Sequence, residues 1–222
     1  MKKFKHVIWD WNGTLLEDVD LCVSIMNSIL SEKEMKTISM EYYKNIFTIP
    51  VYDYYQKLNF DFELESFESI GKRFIDKYEE LKFNSHLYQG AESILKYIHE
   101  AGVQQSVLSG YFQETLESII SEFQLCDYFD HLVGMNDIYA GSKITNGKKL
   151  IELLNLNGED VIMVGDTCHD YEVACEIGAE IVLMSNGHQS EEKLKKCGVE
   201  IFGNHKELSE FFKNNLKDGN DA

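Results

Sequence analysis

Five short apolar runs, separated by helical patterns, constrain the fold of this chain more than any other feature. The runs cover residues 6–10, 104–109, 131–134, 161–165 and 180–184. Their apolar residues are continuous rather than alternating, which is typical of parallel strands that are buried on both faces. From residue 86 onward, strand-like and helical patterns alternate. The alternation predicts a doubly wound α/β fold around a five-stranded parallel sheet.

The long gap between the first and second runs has a different pattern. Val19, Val23, Met26 and Leu30 recur at steps of three and four residues, which predicts an amphipathic helix. Similar patterns continue to about residue 84, and the gap is too long for a loop in a compact domain. We therefore expect a small α-helical domain over 17–84, inserted into a Rossmann-like core formed by 1–16 and 85–222.

Charge and composition exclude several classes of partner. The net charge of −17 argues against nucleic acid, since phosphate backbones are bound by clustered lysine and arginine side chains. The apolar runs are far shorter than the roughly 20 residues of a membrane span, so no membrane partner is expected. The chain has five cysteines and no C-x-x-C pair, which favours reduced thiols and a cytoplasmic location.

Polar residues follow the predicted strands at their carboxyl ends, where open α/β sheets bind ligands. Asp10 follows the first strand, Ser109 and Gly110 follow the second, and Asp166 and Asp170 follow the fourth. Asp10 is suited to act as a nucleophile, as a metal ligand, or as both. Asp166 and Asp170 offer carboxylate oxygens to a hard cation such as Mg²⁺. Ser109 and the amide of Gly110 are potential donors to phosphate oxygens.

A lysine upstream of the fourth strand completes this set. Lys143, in the segment Ala140-Gly141-Ser142-Lys143, is placed to neutralise both a carboxylate nucleophile and an incoming phosphate. Lys148 would reach the same place if the following helix began later. We favour Lys143 and keep Lys148 as the alternative.

With these motifs the chain resembles the haloacid dehalogenase superfamily, and in particular its phosphoglycolate-phosphatase-like branch, over nearly its whole length. The resemblance rests on four motifs: Asp10-Trp11-Asn12-Gly13-Thr14-Leu15, Leu108-Ser109-Gly110, Lys143, and Gly165-Asp166-Thr167-Cys168-His169-Asp170. It implies an Asp10 nucleophile and Mg²⁺ held by Asp10, Asp166 and the backbone carbonyl of Asn12. It also implies that the helical insertion is a cap.

Asn12 departs from the family pattern. In similar phosphatases this position is usually an Asp that protonates the leaving group and later activates water. An Asn amide forms hydrogen bonds but does not exchange a proton at neutral pH. Because general acid–base catalysis contributes roughly 10²–10⁴-fold, we expect slow turnover, least impaired for acyl phosphates. A group from the cap, His169 or His188 are alternative proton sources, and Asn12→Asp tests whether Asn12 limits the rate.

The sequence thus predicts a Mg²⁺-dependent phosphatase that hydrolyses a small phosphorylated metabolite through an aspartyl-phosphate. The alternatives are a catalytically weak or inactive phosphoryl- or metal-binding protein, and a phosphotransferase or mutase. Tyr52, Tyr54 and Tyr55 either face the substrate or form the core of the cap. Monomer and homodimer both remain open.

Overall fold

A parallel sheet lies at the centre of the computed structural model, which describes residues 4–135 and 143–216. Among these residues the strands are β1 (His6–Trp9), β2 (Leu16–Glu17), β3 (His86–Leu87), β4 (Gln104–Phe112), β5 (His131–Met135), β6 (Val161–Gly165), β7 (Glu180–Met184) and β8 (Ile201–Phe202). Six of them form one sheet in the order β5-β4-β1-β6-β7-β8, and its neighbouring strands are parallel. β2 and β3 form a separate antiparallel pair.

Helices cover the sheet and fill the long gap after β1. They are α1 (Val19–Glu32), α2 (Met40–Ile46), α3 (Val51–Lys57), α4 (Phe67–Leu81), α5 (Ala91–Glu100), α6 (Gln113–Glu122), α7 (Lys143–Leu154), α8 (Cys168–Ile177), α9 (Glu191–Leu194) and α10 (His205–Asn215). No helix in the described part of the chain has both the length and the apolar character needed to cross a membrane.

The two faces of the sheet are buried in separate hydrophobic clusters, which explains why the strand sequences are continuously apolar. Val7 and Trp9 of β1 point into one cluster. Ile8, between them, points into the other cluster together with Leu108 and Met163. Successive side chains of a strand alternate between faces, so a strand covered on both sides needs apolar residues at every position.

The predicted α/β class and the five predicted strands are confirmed, but the strand count was wrong by one. β8 adds a sixth strand beside β7. It contains only Ile201 and Phe202, and a two-residue strand leaves no apolar run for sequence patterns to detect. Helix α7 places Lys143 in its first turn and Lys148 about one and a half turns further on. Residues 140–142, which precede Lys143, and residues 217–222 lie outside the described residues.

Helices α1 to α4 share a hydrophobic cluster of their own. It includes Ile25, Met26, Ile29 and Ile70, and α1 packs against α4. The short pair β2–β3 lies at the two ends of this helical segment, because β2 precedes α1 and β3 follows α4.

The helical segment also contacts the loop that follows β7. The backbone N–H of Ser190 donates to the carbonyl of Lys44 at 3.1 Å, and the Lys44 ammonium donates to the carbonyl of Asn186 at 2.8 Å. The Gln189 amide donates to the carbonyl of Phe47 at 3.1 Å. These contacts hold the segment over the carboxyl end of the sheet.

Candidate active site

Asp10 lies at the carboxyl end of β1, an inner strand flanked by β4 and β6. Its backbone N–H donates to the carbonyl of Val164 at 2.8 Å, which continues the β1–β6 pairing by one residue. The Asp10 side chain is only 9% exposed. The end of a buried strand thus fixes this carboxylate at the switch point of the sheet, where α/β folds bind ligands.

Lys143, and not Lys148, is the lysine that reaches Asp10. The Lys143 ammonium donates to Oδ1 of Asp10 at 2.5 Å and to Oδ1 of Asp170 at 2.6 Å. Lys148 forms an ion pair with Glu176 on the surface, where both side chains are about half exposed. Burial alone would lower the pKa of Lys143, but Asp10 and Asp170 outweigh it and raise the pKa above its ordinary value. The lysine is therefore held as a buried cation.

Asp170 contacts both Lys143 and the N-terminus of α8. Thr167 is the N-cap of α8, and its hydroxyl and Asp170 form a capping box that satisfies backbone donors at the start of the helix. Oδ2 of Asp170 accepts the Thr167 hydroxyl at 2.6 Å and the Thr167 N–H at 3.0 Å. Burial would raise the pKa of Asp170, but Lys143 and the hydrogen bonds from Thr167 together outweigh it and lower the pKa.

Asp166 is fully buried and has fewer partners. The Thr14 hydroxyl donates to its Oδ1 at 3.3 Å, and the backbone N–H of His188 donates to its Oδ2 at 2.5 Å. Burial is the largest influence and raises the pKa of Asp166 to about 6, although His188 acts to lower it.

Asp10, Lys143, Asp166 and Asp170 form what we call the carboxylate cluster. The carboxylates of Asp10, Asp166 and Asp170 each place an oxygen within 4.8 Å of the others, and all three are buried. Burial, reinforced by Asp170 and Asp166, raises the pKa of Asp10 to about 8 even though Lys143 lowers it. Three acidic groups thus surround one ammonium. A divalent cation with a preference for oxygen ligands, such as Mg²⁺, fits this donor set and would relieve its excess negative charge.

Ser109 and Gly110 lie within the last four residues of β4, where the β4–β5 register shifts between Leu108 and Phe112. The prediction ended this strand at Ser109, but β4 continues to Phe112. Ser109 is buried, and its hydroxyl accepts a hydrogen bond from the N–H of Tyr111 at 3.1 Å. A Cβ atom at Gly110 would meet nothing within 4 Å. Neither residue touches the carboxylate cluster through a hydrogen bond between described residues, so their role toward phosphate remains a prediction.

Asn12 has hydrogen-bond partners that the motif did not predict. Its side-chain amide donates to Oδ2 of Asp18 at 2.9 Å and to the Tyr78 hydroxyl at 2.8 Å. His188 lies on the other side of Asp18, with its Nε2 at 3.3 Å from Oδ1. We call these four residues the Asp18 cluster.

The Asp18–His188 contact sets the charge of both groups. Burial alone would lower the pKa of His188, but Asp18, together with Asp166 and Asp10, outweighs it and raises the pKa to about 9. Burial would likewise raise the pKa of Asp18, but His188 and the hydrogen bonds from Tyr78 and Asn12 together outweigh it and lower the pKa. A buried carboxylate and imidazolium thus neutralise each other beside Asn12.

The two predicted histidines differ in position. His188 is buried, and its Nδ1 is 2.8 Å from the hydroxyl of Tyr43 in α2. His169 lies at the start of α8 and pairs with Glu172 at 3.1 Å. Sequence reasoning named His188 as one possible proton source, but it missed Asp18 and Tyr78, which belong to no motif.

The three tyrosines that were expected in the cap differ in burial. Tyr54 and Tyr55 belong to the hydrophobic cluster of the helical segment, and both are buried. Tyr52 is 41% exposed. Tyr54 and Tyr55 therefore serve the core of this segment.

The comparisons with known proteins agree with this architecture. The family model described as haloacid dehalogenase-like hydrolase matches residues 7–184. Pyrophosphatase PpaX of Bacillus cereus is 24% identical over 179 residues, which cover 76% of this chain and 77% of that protein.

Solved structures share the fold. A predicted phosphatase from Clostridium acetobutylicum has a TM-score of 0.80 at 22% identity, over 96% of this chain and 99% of that chain. A predicted phosphoglycolate phosphatase from Haemophilus somnus has a TM-score of 0.76 at 17% identity, over 95% and 99%. The family match runs from β1 to β7 and includes all four motifs. The resemblance is confirmed, and the chain belongs to the haloacid dehalogenase-like hydrolase family.

Proposed function

We propose that this protein is a Mg²⁺-dependent phosphatase that hydrolyses a small phosphorylated metabolite through an aspartyl-phosphate on Asp10. The observation that carries the proposal is the position of Lys143, whose ammonium bridges Asp10 and Asp170 at the carboxyl end of the sheet. A buried carboxylate nucleophile next to a buried cation is suited to attack on an anionic phosphoryl group. Its family membership supports hydrolysis.

In the proposed reaction, a carboxylate oxygen of Asp10 bonds to phosphorus as the bond to the leaving oxygen breaks. Water then attacks the phosphorus of the aspartyl-phosphate, which releases inorganic phosphate and restores the carboxylate. Lys143 compensates the charge of the nucleophile and of the phosphoryl oxygens, and Ser109 and Gly110 donate hydrogen bonds to those oxygens. Asp170 holds Lys143 in place.

The carboxylates of Asp10 and Asp166 and the backbone carbonyl of Asn12 would hold Mg²⁺, with Asp170 beside them. The ion would supply charge neutralisation between the carboxylate nucleophile and the anionic substrate. Residues 17–84 act as a cap over this site, and 1–16 with 85–222 form the catalytic core. The contacts between Lys44 and the loop after β7 support this division.

The leaving group does not receive its proton from Asn12, because a side-chain amide does not release a proton at neutral pH. Substrates whose leaving group departs without full protonation are therefore favoured. Acyl phosphates belong to this class, and so does pyrophosphate, the substrate in the name of the Bacillus cereus relative. The same observation supports a second candidate function, a phosphoryl- or metal-binding protein with little turnover.

A substrate panel separates these two functions. Purified protein with Mg²⁺ is assayed for phosphate release from phosphate monoesters, acyl phosphates and pyrophosphate, with Asp10→Asn as the inactive control. We expect wild-type hydrolysis that Asp10→Asn abolishes, fastest for the acyl phosphates and pyrophosphate. Equal rates for wild type and Asp10→Asn on every substrate would contradict the enzymatic function and favour the binding protein.

A further inference from the structure

Asp18 occupies a helix N-cap position but does not cap the helix. It immediately precedes α1, where an aspartate side chain ordinarily accepts a backbone N–H of the first turn. Its side chain makes no such bond. The carboxylate points instead toward the turn after β1, where Oδ1 accepts the N–H of Gly13 at 2.9 Å. The side chain is 1% exposed, so helix capping does not explain a buried charge here.

Asp18, Asn12 and Tyr78 close a three-membered ring of hydrogen bonds. The Asn12 amide donates to Oδ2 of Asp18 and to the Tyr78 hydroxyl, and that hydroxyl donates to the same Oδ2 at 2.7 Å. Both amide hydrogens of Asn12 are thereby used. Tyr78 lies in α4, at the far end of the helical segment in sequence. The ring thus joins the turn that carries the nucleophile to the segment that covers it.

The ring requires an amide at position 12. A carboxylate there would face the Asp18 carboxylate at 2.9 Å with no hydrogen to donate. Like charges repel strongly in a buried site, where the effective dielectric constant is low. An unsatisfied buried polar group adds a further penalty. Asn12 therefore supplies a hydrogen-bond donor that the ring with Asp18 and Tyr78 needs. It has no acid–base function.

We propose that Asp18 is a positioning residue, which fixes the Asp10–Gly13 turn to the helical segment through a carboxylate–amide pair with Asn12. The proposal rests on the phosphatase function proposed above and explains why the family's usual aspartate is absent at position 12. It also changes the expected result for Asn12→Asp. We expect that single substitution to slow the enzyme, because it places two carboxylates against each other. Exchanging the two side chains, with Asp at position 12 and Asn at position 18, restores one hydrogen-bond donor and one acceptor.

A double-mutant cycle tests the pair. Wild type, Asn12→Asp, Asp18→Asn and the double variant are compared by kcat and KM for a hydrolysed substrate, and by chemical unfolding without substrate. We expect each single variant to lose about tenfold or more in kcat with a smaller change in KM, and to unfold more easily. The double variant should lose less than the sum of the two single losses, because it restores the donor–acceptor pair but not the charge pair between positions 18 and 188.

Tyr78→Phe is a conservative second test, and Tyr54→Phe is its matched control. Both tyrosines are buried, but the Tyr54 hydroxyl has no hydrogen-bond partner among the described residues. We expect Tyr78→Phe to lower kcat by about three- to tenfold, whereas Tyr54→Phe leaves it within about twofold of wild type.

The outcomes separate this proposal from the proposed function. A wild type that hydrolyses nothing would overturn the phosphatase, and the positioning role with it. An active wild type in which Asn12→Asp is as fast and as stable as wild type would overturn the positioning role alone. Additive losses in the double variant, or equal rates for Tyr78→Phe and Tyr54→Phe, would do the same.

Discussion

The carboxylate cluster and the Asp18 cluster lie on either side of the turn after β1, but they draw on different parts of the chain. The carboxylate cluster takes all of its side chains from the ends of β1 and β6 and the starts of α7 and α8. The Asp18 cluster takes Asp18 from the start of the helical segment and Tyr78 from its last helix. The first cluster is therefore built by the sheet, and the second depends on how the helical segment lies over it.

The clusters also differ in charge balance. Lys143 is the one cation within the carboxylate cluster, against three carboxylates. In the Asp18 cluster, one carboxylate faces one imidazolium, and the neutral donors Asn12 and Tyr78 bind the remaining carboxylate oxygen. The difference indicates that the first cluster is suited to binding a cation and an anionic substrate, whereas the second is suited to holding a fixed geometry.

The largest expected effect comes from removing the cation of the carboxylate cluster. Lys143→Met leaves two buried carboxylates without their partner, and breaking a buried ion pair typically costs about 3–5 kcal/mol. We expect that loss in the free energy of unfolding and a fall in kcat of about 100-fold or more. Lys148→Met, which removes only a surface pair, should change stability by less than about 1 kcal/mol. Similar losses in the two variants would contradict the assignment of Lys143.

The next effect tests the point at which the two clusters meet. A Cβ atom at Gly13 would overlap Asp166 of one cluster and His188 of the other, at a φ of +72°. Gly102 has nearly the same φ, +73°, but a Cβ atom there would meet nothing within 4 Å. We expect Gly102→Ala to cost about 1 kcal/mol from backbone strain, and Gly13→Ala to cost about 3 kcal/mol because overpacking adds to that strain. Equal costs in chemical unfolding would show that the clusters are not packed against Gly13.

The smallest effect concerns a buried histidine outside both clusters. His205 is 1% exposed and stacks on Tyr88 with ring centroids 5.3 Å apart. Burial lowers the pKa of His205 to about 4, although a hydrogen bond with the Thr14 backbone acts to raise it. His188 differs because Asp18 stabilises its charge.

Since the folded pKa of His205 lies below its unfolded value near 6.5, its contribution to stability is present above pH 6.5. That contribution is lost as the pH falls from 6.5 toward 4. The loss at pH 5 is about 2 kcal/mol for this residue. We expect His205→Phe to reduce the drop in unfolding free energy between pH 7.5 and pH 5. An unchanged drop would indicate that other groups cause it.

The sequence alone was enough to predict those parts of the molecule that leave a local pattern in it. Parallel strands with two buried faces leave continuous apolar runs, and the residues at their ends follow in fixed positions, so Asp10 and Asp166 could be located without a structure. Of the two candidate lysines, Lys143 contacts Asp10 from the start of α7, whereas Lys148 pairs with Glu176 on the surface.

Residues that depend on how the helical segment lies over the sheet could not be located in this way. Tyr78 is one of several aromatic residues in an amphipathic helix, and its hydroxyl acquires a role only because α4 lies beside the turn at Asn12. Asp18 resembles an ordinary helix N-cap in the sequence. The contact between them spans 60 positions, and helical periodicity does not indicate which helix faces which loop.

The central claim, that Asp10 is the nucleophile of the carboxylate cluster, can be tested without knowledge of the substrate. Beryllium fluoride binds to aspartate nucleophiles as a mimic of the aspartyl-phosphate, and its fluorine resonances report the bound state. With Mg²⁺ present, we predict protein-bound resonances for wild type and for Lys148→Met, and none for Asp10→Asn. Bound resonances of equal intensity in Asp10→Asn, or none in wild type, would contradict the account.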